Sequence, residues 1–199
     1  SLFSLIEVLK NIAVAQFKIL ERKIRSFDKF MSTIENFFEL IDTNRLVHPF
    51  LNPQGRPQAV VAVTSDSGLL GGLNMQVVNR ALYELSEIPG KLIVIGERGK
   101  MYARENGVSF VAFSGIKDDE RYAQAMQVRD YILNKFISGD YGYLKVVYPR
   151  PVSFTVQCIE VASVLPYAPA QRNPAQSLGA LPDMLLESNP NYIVEYLLY

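Results

Sequence analysis

The sequence predicts an α/β fold: a mostly parallel five-stranded sheet with flanking helices, preceded by a long projecting N-terminal coiled-coil helix. Two observations carry this prediction. Residues 1–48 hold no glycine or proline and place apolar residues at alternating steps of four and three. After them, β-branched apolar runs alternate with stretches of helical period, the pattern of strands joined by helical crossovers.

The long helix places Leu2, Ile6, Leu9, Ala13, Phe17, Leu20, Ile24, Phe27, Met31, Ile34, Phe38 and Ile41 on one seam. Two successive steps of four between Leu9 and Phe17 relax the strict heptad there. Lys18, Glu21, Arg22, Arg25, Asp28, Lys29 and Glu39 form the opposite, solvated face. At about 1.5 Å per residue the helix reaches roughly 60 Å, twice the ~30 Å width of a small domain, so much of it must project. Such a seam gains its stability from packing against another helix. The helix ends at His48-Pro49, and residues 49–58, with Asn52-Pro53-Gln54-Gly55-Arg56-Pro57, form a turn-rich linker.

Residues 59–168 make the α/β domain. Ala59–Thr64 reads as a doubly buried strand and leads through Ser65–Asn74 into a helix marked by Val77, Ala81, Leu82 and Leu85, which Pro89-Gly90 closes. Lys91–Gly96 is the second strand, followed by a short helix to Glu105 and a turn at Asn106-Gly107. Ser109–Phe113 is the third. Asp118 or Asp119 caps the next helix, with Tyr122, Ala125, Met126, Ile132, Leu133 and Phe136 as its apolar face, ending at Ser138-Gly139-Asp140. Tyr143–Tyr148 and Phe154–Ile159 are strands joined by a short Pro149-Arg150-Pro151 turn, too close for a parallel crossover and therefore antiparallel. Residues 169–199 are a loop rich in Pro, Ala, Gln and Gly, a short extended piece at Met184–Leu186, and the start of a helix from Asn189-Pro190 that is still in its pattern at Tyr199.

The counts exclude several kinds of chemistry. Lys+Arg and Asp+Glu are 20 each, so no net field draws nucleic acid or an anionic membrane surface. One histidine, His48, and one cysteine, Cys158, leave no His/Cys metal cluster and no disulfide within the chain. No apolar run is long enough for direct membrane insertion, and Ser1–Leu9 lacks the basic start of a signal peptide.

Site-like motifs are weak. Gly68-Leu69-Leu70-Gly71-Gly72 lies between strand and helix, where phosphate could bind, but its spacing is not G-x-G-x-x-G. Gly96-Glu97-Arg98-Gly99-Lys100 lacks a P-loop's first glycine and its Ser/Thr, with Val94 and Met101 at those places. His48, at a helix end beside proline, is a poor triad member. Asp118-Asp119-Glu120 reads as helix capping rather than acid–base chemistry. Tyr141, Tyr143 and Tyr148 read as core residues rather than a stacking platform. No catalytic, cofactor-binding or metal residue is assigned.

Val61-Ala62-Val63-Thr64-Ser65-Asp66-Ser67-Gly68-Leu69-Leu70-Gly71-Gly72-Leu73-Asn74 resembles the signature of the gamma subunit of F-type ATP synthases, a Val/Ile run followed by T-S-D-[RK]-G-L-C-G-[GA]-[LFY]-N. Leu9-Lys10-Asn11-Ile12-Ala13 is similar to that family's M-K-M-V-A stretch. Fainter likenesses are Lys91–Gly99, Phe136–Tyr141 and Glu187-Ser188-Asn189-Pro190 against E-P-S-P, all in the family's order. Ser67 stands where the family has a basic residue and Leu70 where it has cysteine.

The resemblance implies a truncated or divergent gamma subunit lacking most of its C-terminal helix, with about 80 further residues of heptad-like helix expected after Tyr199 in the full-length gene product. It implies a non-catalytic rotor: a shaft helix, residues 1–48, turning inside the ring of alpha and beta subunits, and an α/β foot beside the epsilon subunit and the membrane-embedded ion-translocating ring, at the cytoplasmic face of the cell inner membrane. Lys10 would lie on the shaft. Asp66, Gly68, Gly71, Gly72 and Asn74 would shape a turn of the foot, as interface or structural positions. A coiled-coil adaptor with an α/β domain, or a small-ligand-binding α/β protein, are the alternatives the residues leave open.

Overall fold

The computed structural model describes residues 2–39, 51, 55–68, 72–153 and 156–166, with the α1 side chains described to residue 23. The expected helix from residue 40 to 48, the Gly71 position, the 169–199 loop, the Met184–Leu186 piece and the Asn189-Pro190 helix start lie outside these residues. Helix α1 (Leu2–Glu39) belongs to one compact unit; the sheet and the other helices belong to a second.

The second unit runs β1 (Gln58–Val63), α2 (Leu73–Glu87), β2 (Gly90–Ile95), α3 (Glu97–Glu105), β3 (Phe110–Phe113), α4 (Arg121–Ile137), β4 (Tyr143–Pro151) and β5 (Gln157–Leu165). The five strands lie in the order β3-β2-β1-β4-β5. β1 pairs in parallel with both β2 and β4, β2 pairs in parallel with β3, and β4 with β5 is antiparallel. The mostly parallel five-stranded sheet predicted from the alternating runs is the one observed. Right-handed crossovers step from β1 to β3 on one face, so the β3-to-β4 crossover must pass over the other.

Side-chain alternation bears this out. Val60, Ala62, Leu92, Val94 and Val147 form a buried cluster with Val77 and Ala81 of α2 and Ala103 of α3. Their strand neighbours Ala59, Val61 and Ile93 point the opposite way and are also buried, as a doubly covered parallel sheet requires. From α4, Ile132 and Phe136 are buried, and Tyr131 meets Phe113 of β3 edge-on at 5.6 Å. Each large side chain in this core contributes about 1.5–3 kcal/mol by leaving water. Gly96 links β2 to α3 with φ 99° against the Thr64 carbonyl, a conformation and an approach that no side chain tolerates.

Several boundaries differ from expectation. β1 and β2 each begin one residue earlier, because Gln58 pairs with Gly90 and the helix before β2 ends at Glu87. Neither Asp118 nor Asp119 caps α4; Glu120 occupies the cap and makes no side-chain cap bond. On α4 Tyr122 and Ala125 are exposed, while Gln124 is buried, donating to the Gly115 carbonyl and accepting from the Lys117 amide at 3.0 and 2.9 Å. A short polar side chain that can bond two loop groups is buried in preference to an aromatic ring at the helix start.

The Pro149-Arg150-Pro151 turn does not exist. β4 continues through both prolines, the Val152 and Ser153 amides donate to the Val156 carbonyl, and β5 begins at Gln157; the expected strand start at Phe154-Thr155 lies outside the described residues. Sequence rules favour a turn at Pro-x-Pro, but both prolines lie past Val147, the last β4 residue paired with β1. Among the described residues β4 has no neighbour on that side at these positions, so the missing donors leave no ladder bond unmade. Leu92→Ala should lower the stability of this unit by about 2–5 kcal/mol, seen as a lower urea midpoint with an unchanged m-value.

Candidate functional site

The parallel strands end on one edge of the sheet, and there the residues singled out in the β1–α2 turn come together. Thr64, buried, donates to the Ile95 carbonyl at 2.6 Å and accepts from the Gly99 amide at 3.0 Å. Ser65 and Asn74 are joined twice: the Ser65 amide donates to Asn74 Oδ1 at 3.1 Å, and Asn74 Nδ2 donates to Ser65 Oγ at 3.0 Å. Asn74 thereby fixes the turn to the helix that follows it. The Ser65 carbonyl accepts from the Arg98 amide at 3.1 Å.

Asp66 is the node. Its Oδ1 accepts from the Glu97 amide at 2.9 Å and from the Gly115 amide at 3.1 Å, so one carboxylate ties together the loops that follow β1, β2 and β3. Glu97 is the first residue of α3, where unpaired amides and the helix dipole favour a negative charge. Gly115 is required beside it, because a Cβ there would sit on the carboxylate. Gly68 packs its α-carbon against the Arg98 guanidinium. Gly72 occupies the α2 cap position, exposed, with φ −81°, and has no steric need of glycine. Lys10 lies exposed on α1, in the other unit.

This arrangement answers the phosphate question raised by the glycine cluster. A phosphate at α3 would need the Glu97 amide that Asp66 already holds, and would face the charge of that carboxylate. In the P-loop-like segment, the Gly99 amide is bound to Thr64 and Lys100 is paired with Glu97 at 2.5 Å. Asp118 and Glu120 make surface pairs with Arg121 and Lys117 at 3.9 and 3.4 Å, contacts that contribute little. Tyr141 is buried edge-on to Phe136 with its hydroxyl 3.3 Å from that of Tyr131; burial first, and then that neighbour, push its pKa up. It is a core residue. Among the described residues no group of His, Cys, Asp or Glu is placed to hold a metal.

Sequence reasoning missed a second polar cluster. Glu84 of α2 is buried, bonded to Lys145 of β4 at 2.5 Å and to Arg80 at 2.7 Å. Gln58 of β1 donates to the Glu84 carbonyl at 2.6 Å and to that of Ile88, and its own Oε1 is buried without a partner among the described residues. Burial pushes the Glu84 carboxyl up, but the hydrogen bond and charge of Lys145, with Arg80, outweigh it and hold the pKa below the usual value. The signal was in the sequence: Glu84 follows Val77 and Ala81 at core-facing helical spacing, and Lys145 interrupts an apolar strand.

Helix α1 presents a different surface. Leu2, Ile6, Leu9 and Leu20 of the predicted seam are exposed, Leu2 by 75%, while Ala13 and Phe17 are half-buried. A second strip, Leu5, Val8, Ile12 and Ile19, runs beside it at heptad-like spacing and is also exposed. Leaving both strips in water is costly, at about 25 cal/mol per Å² of apolar surface, so the helix is built to be covered on more than one side.

A family model described as ATP synthase matches residues 1–199. The chain belongs to the ATP synthase gamma-chain family. The gamma chain of Desulforudis audaxviator is 28% identical over 152 residues, which cover 69% of this chain and 50% of the relative. That of Symbiobacterium thermophilum is 32% identical over 136 residues, covering 65% and 47%. Among solved structures, the central stalk with c-ring of the Tetrahymena thermophila mitochondrial ATP synthase is similar with a TM-score of 0.47 and 18% identity, over 56% of this chain and 50% of that one. This gamma-family chain thus spans about half the length of the relatives it matches.

Asp66→Ala, which strips two amides of their acceptor, should cost the sheet unit about 1–3 kcal/mol in a urea titration. Because the Glu84 pKa is depressed in the folded state, its contribution is complete above the ordinary carboxylate pKa and is lost as pH falls through the folded value. Wild type should therefore lose stability toward acid, and Glu84→Gln should show a flatter pH dependence below about pH 5 in thermal melts.

Proposed function

We propose that the chain is the shaft-and-foot portion of a central-stalk rotor subunit of an F-type ATP synthase. The observation that carries the proposal is the match of the gamma-bearing family along all 199 residues, joined to an N-terminal helix whose apolar surface is left exposed on two strips. In this role α1 coils with a second helix through the Leu2–Leu20 seam, and the pair turns within the ring of alternating alpha and beta subunits. Catalysis belongs to the beta subunits. The rotor supplies asymmetry: each catalytic site meets a different side of the shaft, and differential contact shifts its population of conformations. The α/β unit is the foot, adjoining the epsilon subunit and the membrane ion-translocating ring. The complex is peripheral at the cytoplasmic face of the cell inner membrane.

The polar clusters fit a mechanical role. Asp66 and Glu84 fix loops and helices to the sheet, as suits a part that bears load. The Asp66–Asn74 turn is then a structural feature of the foot, and Lys10 a shaft position.

Reconstitution with alpha and beta subunits tests the reading. The chain should join a complex whose ATP hydrolysis drives its rotation, and self-association with no affinity for alpha or beta would instead indicate an adaptor. Ile12→Asp should lower the yield of assembled complex at least about tenfold, since a charge replaces a large apolar contact, while leaving the melting of the sheet unit unchanged.

A further inference from the structure

Asn106-Gly107 is the only asparagine–glycine step in the sequence, and it ends α3 with both residues exposed. Two backbone bonds close the turn. The Gly107 amide donates to the Arg104 carbonyl at 2.9 Å and the Val108 amide to the Ala103 carbonyl at 3.2 Å. Gly107, with φ 66°, takes the left-handed conformation that this kind of helix ending requires. The Asn106 side chain is tied down as well, its Nδ2 donating to the Tyr102 carbonyl at 2.8 Å. Val108 packs on the core cluster and leads into the short edge strand β3.

An asparagine side-chain amide is open to attack by the backbone nitrogen of the residue that follows it. Glycine is the most reactive successor, because no side chain shields its nitrogen and its backbone bends freely into the ring that forms. A solvent base takes the Gly107 amide proton, and the nitrogen attacks Cγ of Asn106. The new C–N bond closes a succinimide as the Cγ–Nδ2 bond breaks and ammonia leaves. Water then opens the ring at either carbonyl, giving aspartate or isoaspartate. In the folded chain both reacting groups are held apart from this path: the proton lies in the bond to Arg104, and the side-chain amide in the bond to Tyr102. Only the fraying of one helical turn separates the two states, and a Cβ built on Gly107 would meet nothing within 4 Å.

We propose that Asn106 is a self-modification site, deamidated by Gly107 at a rate set by the opening of the last turn of α3. Aspartate at 106 would stand beside Glu105 at the helix end where the dipole disfavours negative charge. Isoaspartate would add a methylene to the backbone and carry the Gly107 and Val108 amides away from their acceptors. Both products loosen the lead into β3. The inference is independent of the rotor reading.

Peptide mapping by mass spectrometry tests it, on the full chain kept in mildly alkaline buffer, folded and in urea above its midpoint. In urea, residue 106 should gain the mass of an amide turned carboxylate before any other asparagine does. Folding should slow that gain at least about tenfold. Arg104→Gly, which weakens the exposed last turn, should raise the folded rate about fivefold and leave the rate in urea unchanged. Phe136→Leu, which weakens the core through α4 instead, should leave the folded rate as it is. Equal rates folded and in urea, or an equal rise in both variants, overturn the gating by α3. Modification at other asparagines ahead of 106 overturns the site itself.

Discussion

The sheet unit depends on β1 being buried on both faces and on both edges. It is the central strand of the five, with parallel neighbours on either side, and its residues from Ala59 to Ala62 are nearly solvent-free. A strand so enclosed has no water to satisfy its backbone or to tolerate polar side chains, so its composition is dictated: small or β-branched apolar residues through the middle, with polar ones only at the ends. The two ends are where the polar clusters sit. Gln58 reaches the last turn of α2, and Thr64 and Asp66 reach the first turn of α3. The helices are thus positioned by hydrogen bonds at the strand ends and held by apolar contact between them.

These polar groups are stabilising because they are paired. A buried carboxylate alone would be neutralised or would unfold its surroundings. With Lys145 and Arg80, Glu84 stays ionised and links α2 to β4 across the sheet face. Asp66 is exposed and avoids that penalty, yet it gathers amides from two loops that would otherwise end without acceptors. The same edge that in many doubly wound sheets is left open for a ligand is here closed by the chain's own side chains.

Most of the sheet was legible in the sequence, because parallel strands write themselves as continuous apolar runs and their crossovers as helical period. The 59–64, 91–96 and 109–113 runs are strands to within a residue. What was illegible depended on neighbours that lie far off in the chain. Whether Pro149 ends a strand depends on where β1 stops, and nothing near residue 149 records that. Whether Gln124 or Tyr122 turns inward depends on the Gly115–Lys117 loop folding back over α4. The turn residues Asp66 and Asn74 were recognisable as a group through resemblance, but their partners Glu97 and Gly115 were not, since a backbone amide carries no signature. On α1 one seam was read and the second, Leu5 to Ile19, was overlooked, because a single heptad frame was followed.

The two prolines of β4 also act as a ruler for its neighbour. Beyond Val147 the side of β4 facing β1 offers carbonyls but no donor at positions 149 and 151, so an insertion that lengthened β1 past Val63 would find only half of a ladder there. Extra residues would be spilled into the loop instead. The height of the central strand is therefore written in the sequence of the strand beside it.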